Sequence, residues 1–243
     1  MTERYFVELP IDGPQARLTG GEAHHLAHVM RAKPGHLVTL FDGQGAEFSA
    51  RVERVGRAEI ELAVLERADV NRELPQRIVL GVTLPKGDRQ RWLVEKATEV
   101  GVARLVPLVT EHSGEHAAAD RLRRTVIEAC KQCRRNQFME IAASQPLGEF
   151  LAAAPTSAAR LFAHPGGDSV ASALARRPAA APLGEAWIAV GPEGGFSARE
   201  VEAAHVAGWR VVDLGPRILR VETAAIALAA AVALGSEAGT ASH

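Results

Sequence analysis

Two glycine-bearing stretches in the last third of the chain hold the residue types that can do chemistry. The first is Gly191-Pro192-Glu193-Gly194-Gly195, directly after Val190. The second is Leu214-Gly215-Pro216-Arg217-Ile218-Leu219-Arg220, with Glu222 and Thr223 just beyond it. Glycines let a backbone come close to a ligand and leave its N–H and C=O groups unobstructed. Neither stretch reads G-x-x-x-x-G-K-[ST] or G-x-G-x-x-G, and Glu193 places negative charge where a phosphate cradle would avoid it. A cationic or neutral adenosine-type ligand held by backbone groups suits the pattern; a pair of tight turns without ligand fits the same spacing. Arg217 and Arg220 bracket the second stretch with always-charged, fork-shaped donors suited to developing negative charge. Glu222 beside them is a base or, better, a group that orients a guanidinium, since neighbouring arginines lower the pKa of an acid. Thr223 caps the helix that follows or touches a ligand.

These stretches need rigid elements to present them. Ala186 to Val190 reads as a buried strand. After the first stretch Ser197 and Glu200 form a capping box, Phe196 staples onto Val201, and Gly208 ends the helix in the left-handed position. Trp209 to Leu214 is a second strand, and an alanine-rich helix starts near Glu222-Thr223. Upstream, Arg77 to Leu84 and Ala103 to Val109 read as strands around a helix that Asp88 caps and Gly101 closes. Helices follow over Asp120 to Arg135 and Leu147 to Ala153. A strand from Ala159 to His164 runs into Pro165-Gly166-Gly167, and Ser169 to Ala175 is helical. Strands alternating with helices predict an α/β fold, a mostly parallel sheet with helices on both faces. Ligands of such sheets bind outside the carboxyl ends of the strands.

The first 70 residues have a different character. Arg4 to Glu8, His36 to Phe41, Ala46 to Val55 and Ala58 to Glu66 read as strands, with a hairpin signal at Asp42-Gly43. Thr19 and Glu22 form a capping box for a helix over Glu22 to Met30. This is a small β-barrel domain with one helix. A polar linker, Ala68 to Glu73, ends at Leu74-Pro75, so the expected domains are 1–70 and 75–235, with a disordered tail over 236–243. His24 and His28 share a helix face as zinc ligands would, but no acidic residue or third ligand completes a metal site. Arg31 and Lys33, at the end of that helix, are candidate phosphate contacts.

With 243 residues, 47% apolar and 23% charged, the chain has the composition of an ordinary globular protein. Its net charge of -1 gives no overall field to attract nucleic acid, so any RNA contact must be a local basic patch. The basic concentrations are Arg89, Arg91 and Lys96 on one helix, and Arg121, Arg123, Arg124, Lys131, Arg134 and Arg135 on another. The cysteines Cys130 and Cys133 lack the second pair or histidine that zinc needs, and read as plain thiols on one helix. No apolar run reaches membrane-spanning length, and MTERYFVELP has no signal-peptide core, so cytoplasmic residence is expected.

The segments GPEGGFS-x-x-E and LG-x-RILR-x-ETA resemble the SPOUT class of S-adenosylmethionine-dependent RNA methyltransferases. Within it, the chain is similar to the family that methylates N3 of a uridine in 16S ribosomal RNA. HHL-x-x-V-x-R-x-K-x-G followed by LFDG resembles that family's PUA-like RNA-binding domain. K-G-D-R and E-K-A-T-E-V-G-V also match the family's pattern. The resemblance implies a trefoil knot, a homodimer, S-adenosyl-L-methionine as cofactor, the small ribosomal subunit or its 16S RNA as partner, and no metal. It implies that the cofactor rests on three loops: the one after His164, the one formed by Val190, Gly191, Glu193, Gly194 and Gly195, and the one over Leu214 and Gly215 to Arg220. Ile218 and Leu219 line the pocket, and Thr223 lies at its edge. Arg220 meets the uracil with Glu222 near it, while Arg217, Arg31, Lys33, Arg89, Lys96, Arg134 and Arg135 face RNA. Two positions depart from the family's pattern: His112 stands where arginine is usual, and Lys131-Gln132-Cys133-Arg134-Arg135 replaces a Glu-Gln-Ser-Gly-Arg-like run. Other readings are a SPOUT enzyme acting on a ribose hydroxyl or on transfer RNA, and a non-catalytic RNA-binding assembly factor.

Overall fold

The computed structural model describes residues 3–113, 119–175 and 184–238. It divides into two compact units, Met1–Glu73 with Cys130–Phe138, and Leu74–Ala129 with Met139–His243. Residues 130–138 thus belong with the first unit although they lie far along the chain.

The first unit contains strands β1 (Arg4–Phe6), β2 (Gln15–Thr19), β3 (Leu37–Phe41), β4 (Glu47–Val55) and β5 (Glu59–Ala68), in the order β1-β3-β4-β5-β2. All neighbours are antiparallel except β1 and β3. Register shifts in β4 against β5, at Ser49/Ala50 and Val52/Arg54, bend the strands so that one face closes over Tyr5, Leu18, Leu40, Phe48, Ile60 and Leu62. The helix after β2 differs from expectation. It is α-helical only over α1 (Gly20–His24) and then π-helical over His25–Val29, with the Met30 N–H donating to the His25 carbonyl. Thr19 is the N-cap residue, but its side chain makes no capping bond. Glu22 is drawn elsewhere, accepting from the Lys131 ammonium at 2.8 Å and the Phe6 N–H at 3.4 Å.

The second unit is the expected α/β layer. Its strands are β6 (Arg77–Val82), β7 (Val102–Val109), β8 (Glu140–Ile141), β9 (Gln145–Pro146), β10 (Ala159–Ser169), β11 (Glu185–Val190) and β12 (Arg210–Asp213). Every pairing is parallel, in the order β12-β10-β11-β6-β7-β8 with β9 also on β7. The helices are α2 (Asp88–Glu99), α3 (Ala119–Cys133), α4 (Leu147–Ala153), α5 (Val170–Ala175), α6 (Ala198–Val206) and α7 (Val221–Ala238). Helix α2 is capped by Gly87 at φ +65, and Asp88 is its first residue, not its cap. Helix α7 packs on β6 and β11. It continues to Ala238, so the expected disordered tail is helical over 236–238, and residues 239–243 lie outside the described ones.

Strand β10 does not stop at His164. Leu161, Phe162 and Ala163 pair with β12, the chain bulges out over residues 164–167, and Asp168 and Ser169 pair with β12 again. Gly167 must be glycine, because a Cβ there would sit 2.5 Å from the Val211 backbone.

One close approach inside this unit sets its layer spacing. A Cβ on Gly81, in the middle of β6, would lie 2.5 Å from the Phe150 ring. Phe150 cannot retreat, being fully buried with Trp187 at 5.0 Å and Trp209 at 5.6 Å between ring centres. Gly81→Ala therefore overpacks the core and is expected to cost about 1–3 kcal/mol in denaturant unfolding; an unchanged midpoint would show that Phe150 has room to move.

Candidate active site

Beyond the carboxyl ends of β11 and β12, and beside the bulge in β10, lies a cavity of about 360 Å³. Its walls are the three segments the sequence pointed to. His164 and Pro165 come from the β10 bulge, Val190, Gly191, Pro192, Glu193 and Gly195 from the turn after β11, and Leu214 to Leu219 from the loop after β12. Each is shaped by local chemistry. The turn after β11 closes with the Gly195 N–H donating to the Pro192 carbonyl at 2.8 Å, Gly195 taking φ +73. Phe196 then stacks on Phe162, ring centres 4.1 Å apart, under Gly191. The predicted capping box of α6 is present, with Ser197 and Glu200 exchanging hydrogen bonds.

Asp213, at the end of β12, ties two walls together. One carboxylate oxygen accepts from the Gly215 N–H at 2.8 Å, and the other accepts from the Gly166 N–H at 2.9 Å. These two amides hold its carboxyl below the usual carboxylate range. The sequence reading passed over Asp213. The available signal was an acid immediately before a glycine turn, the setting of an Asx-turn.

On the other side of the cavity, Arg89 at the start of α2 reaches Glu193 at 2.5 Å and Glu222 at 3.7 Å. The hydrogen bond from Arg89 lowers the Glu193 pKa, and the Arg220 charge adds to the effect. Glu222 is buried, and its Oε2 has no hydrogen-bond partner, so Arg89 is its counter-ion. Glu222 and Arg220 are not on the cavity wall. Arg220 is exposed, as is Arg217, which is on the wall. Ile218 is fully exposed at the rim. Thr223 is exposed on α7 and off the wall, and Gly194 faces the His112 ring instead of the cavity.

His112 enters this site from the loop after β7. Its Nδ1 lies 3.1 Å from the Gly195 carbonyl oxygen. The loop is anchored by the Glu111 N–H, which donates to the free oxygen of the capping Glu200 at 2.9 Å.

The residues predicted to meet RNA separate by what holds them. Arg31 and Lys33 are exposed, and Arg31 takes φ +53, in the left-handed region uncommon for a side-chain-bearing residue. Arg134 is exposed at φ +67, its carbonyl accepting from Arg4 and Arg72. Arg135 must be corrected: its side chain is 4% exposed and forks onto Glu73 at 3.0 and 2.5 Å, so it is closed to a phosphate. Lys96 is held by Glu95 and Glu99 at 2.9 and 2.8 Å, and Arg89 by the acids above. Among the described residues no group of histidine, cysteine and acidic side chains could hold a metal, and Cys130 and Cys133 form no disulfide.

Because Asp213 binds protons less readily folded than unfolded, its tie is intact above the ordinary carboxylate range and is lost as pH falls through its lowered folded value. Asp213→Asn keeps one acceptor and loses the other. Amide exchange at Gly166 or Gly215 is expected to rise severalfold with α7 unchanged, and unaltered protection at both would show that the loops hold without it.

A family described as "RNA methyltransferase domain" matches residues 72–233, and one described as "RNA methyltransferase PUA domain" matches residues 18–65. Ribosomal RNA small subunit methyltransferase E of Bacillus subtilis (strain 168) is 30% identical over 249 residues, covering 97% of each chain. The protein of the same name from Mycobacterium bovis is 33% identical over 246 residues, covering 96% of this chain and 89% of its own. A crystal structure of ribosomal RNA small subunit methyltransferase E from Neisseria gonorrhoeae bound to S-adenosyl methionine is 30% identical, with a TM-score of 0.85 over 96% of this chain and 97% of that one. By sequence and by fold, the chain belongs to the RNA methyltransferase family of which these proteins are members.

Proposed function

We propose that this chain transfers a methyl group from S-adenosyl-L-methionine to N3 of a uridine in the 16S ribosomal RNA of the small subunit, acting as a cytoplasmic homodimer. The observation that carries the reading is one cavity walled by three loops beyond parallel strand ends, with Arg217 and Arg220 at the loop that closes it. Residues 1–70 serve as the PUA-like RNA-binding domain and 75–235 as the methyltransferase domain. The passage of the chain from β12 back to α7 is where the knot of this class forms.

The residues present fit the cofactor. Val190, Val212, Leu214, Ile218 and Leu219 give an apolar wall for an adenosine, and the glycine turns offer backbone donors and acceptors for its polar edge. Glu193 and Asp213 set negative charge at the wall for a ligand that carries sulfonium and ammonium groups. When bound, the sulfonium supplies an electrophilic methyl carbon. The protein's task is to position the uracil and to make its N3 nucleophilic, since that nitrogen carries a proton. Arg220 is the stabiliser of the negative charge left on the uracil carbonyls, and its donors are engaged by no hydrogen bond among the described residues. Arg89 acts as a positioning residue for the turn after β11 through Glu193, with Glu222 fixing its guanidinium from the α7 side. Arg31, Lys33, Arg134 and Arg217, exposed, are the backbone contacts to RNA. No helix among the described residues is long and apolar enough to cross a membrane. The exposed Leu234 on the apolar helix α7 supports burial against a second copy, which sedimentation velocity would register as a dimer.

Incubating the protein with labelled cofactor and either 30S particles or naked 16S RNA, followed by nucleoside mapping, is expected to give 3-methyluridine at a single position. A ribose-methylated product or labelled transfer RNA would move the chain to another substrate. Absence of cofactor binding in calorimetry would make it an assembly factor. Arg220→Ala is expected to keep cofactor affinity within about threefold while turnover falls on the order of 100-fold. Normal turnover with a large loss of affinity would reassign that side chain to cofactor binding.

A further inference from the structure

Removing the N3 proton of uracil calls for a base, and the carboxylates at and beside the cavity are already engaged, Asp213 on the wall by the Gly166 and Gly215 amides that hold it below the usual carboxylate range. Glu193 is ion-paired with Arg89 and held below the usual carboxylate range, and Glu222 is buried against the same guanidinium. His112 is placed differently. A carbonyl oxygen can only accept, so the contact of Nδ1 with the Gly195 oxygen at 3.1 Å requires the proton of the neutral ring to sit on Nδ1. Nε2 is then left with its lone pair, on a side chain that is exposed. Gly195 is itself on the cavity wall, so the ring is bonded to a residue of the lining without being part of the lining. The loop that carries it is fixed twice, by the Glu111 N–H on Glu200 at 2.9 Å and by the Thr110 N–H on the Ser113 hydroxyl, also at 2.9 Å.

We propose that His112 is the catalytic base that takes the N3 proton, an inference that rests on the function proposed above. The N3–H bond breaks with its electron pair staying on N3, and the proton bonds to the lone pair of Nε2. The N3 pair, with Arg220 stabilising the charge on the uracil meanwhile, then bonds the methyl carbon as that carbon's bond to sulfur breaks, the electron pair staying on sulfur to leave a neutral thioether, and the imidazolium later returns its proton to water. Among the described residues, the charged groups on the segments next to the ring are Glu111 on its own loop, Glu193 with Arg89 across the Gly195 turn, and Arg199 and Glu200 on α6 behind Glu111. His164 is the competing imidazole. Its Nδ1 contacts the Pro165 carbonyl at 2.8 Å, and it belongs to the wall assigned to the cofactor.

The test compares the full-length protein with His112→Gln and His164→Gln. Glutamine at 112 keeps an N–H for the Gly195 carbonyl and removes the base. Three quantities are read: the pH profile of 3-methyluridine formation on the RNA or particle that the wild type methylates, cofactor affinity by calorimetry, and nitrogen NMR of the His112 ring. Expected are a neutral ring protonated on Nδ1 and bare on Nε2, and unchanged cofactor affinity and RNA KM in His112→Gln. Its kcat should fall about 100-fold to 10,000-fold, with loss of the acid-side decline that the wild type shows. The inference is overturned if Nε2 carries the proton, if His112→Gln keeps both its kcat and the decline, or if His164→Gln abolishes the decline instead. A wild type that binds cofactor yet forms no 3-methyluridine overturns the function proposed above, and this role with it.

Discussion

The cavity depends on a carboxylate that takes two backbone amides from different loops. A loop at the end of a sheet has no ladder to satisfy its N–H groups, and each needs some partner. Asp213 provides two such partners at once, with Gly215 two residues on and Gly166 47 residues back in the chain. Its position at the end of β12 follows from the strand order, which puts β12 beside β10 and so beside the bulge at residues 164–167. The close approach of Gly167 to the Val211 backbone is the steric counterpart of the same contact. Without this arrangement the bulge after Ala163 and the loop after Asp213 would be separate surface turns. With it they are two walls of one pocket.

Charge is managed in a similar way, by internal pairing. A chain of net charge -1 that is to meet a polyanion must keep a few cations accessible and neutralise the others. Arg4 and Arg72 both reach Glu47, Lys131 reaches Glu22, and Arg135 forks onto Glu73. The last two pairs tie residues 130–138 to the rest of the first unit, so part of the basic run read as an RNA face serves the fold. Cations that serve the fold in this way cannot release counter-ions from RNA. Cations left exposed include Arg31 and Lys33, just after the π-helical turn, Arg134, and Arg217 and Arg220 on the loop after β12.

What was legible in the sequence is what rests on neighbours along the chain. The Ser197 and Glu200 cap, the left-handed Gly208 and the glycine turns after β11 and β12 are local motifs, and each stands where the pattern put it. Thr19 and Glu22 spell the same cap and do not form it. The reason is that Lys131, 109 residues away, and the Phe6 N–H take the Glu22 carboxylate. The β10 bulge was illegible because a strand that leaves its partner and rejoins it is recorded only in the partner's register. Asp213, His112 and the buried state of Arg135 were missed or misread for one reason: their decisive contacts are 47, 83 and 62 residues away in the chain.

Glu200 shows how a local motif becomes part of a site. A capping glutamate needs only one oxygen to hold the N-cap amide, here Oε2 on the Ser197 N–H at 2.8 Å. Burial leaves Oε1 facing protein and not water, and an unsatisfied carboxylate oxygen there would be costly. The Glu111 N–H satisfies it at 2.9 Å, and that bond sets where His112 can reach. The ring then meets the carbonyl of Gly195, a glycine of the β11 turn that lines the cavity and takes the left-handed region. The same carboxylate therefore sets the start of α6 and the approach of the β7 loop, two segments far apart in sequence. A substitution that preserved the cap but altered the second oxygen would leave the helix in place and release the imidazole from its orientation, which is why the cap alone does not account for an acid buried at this position.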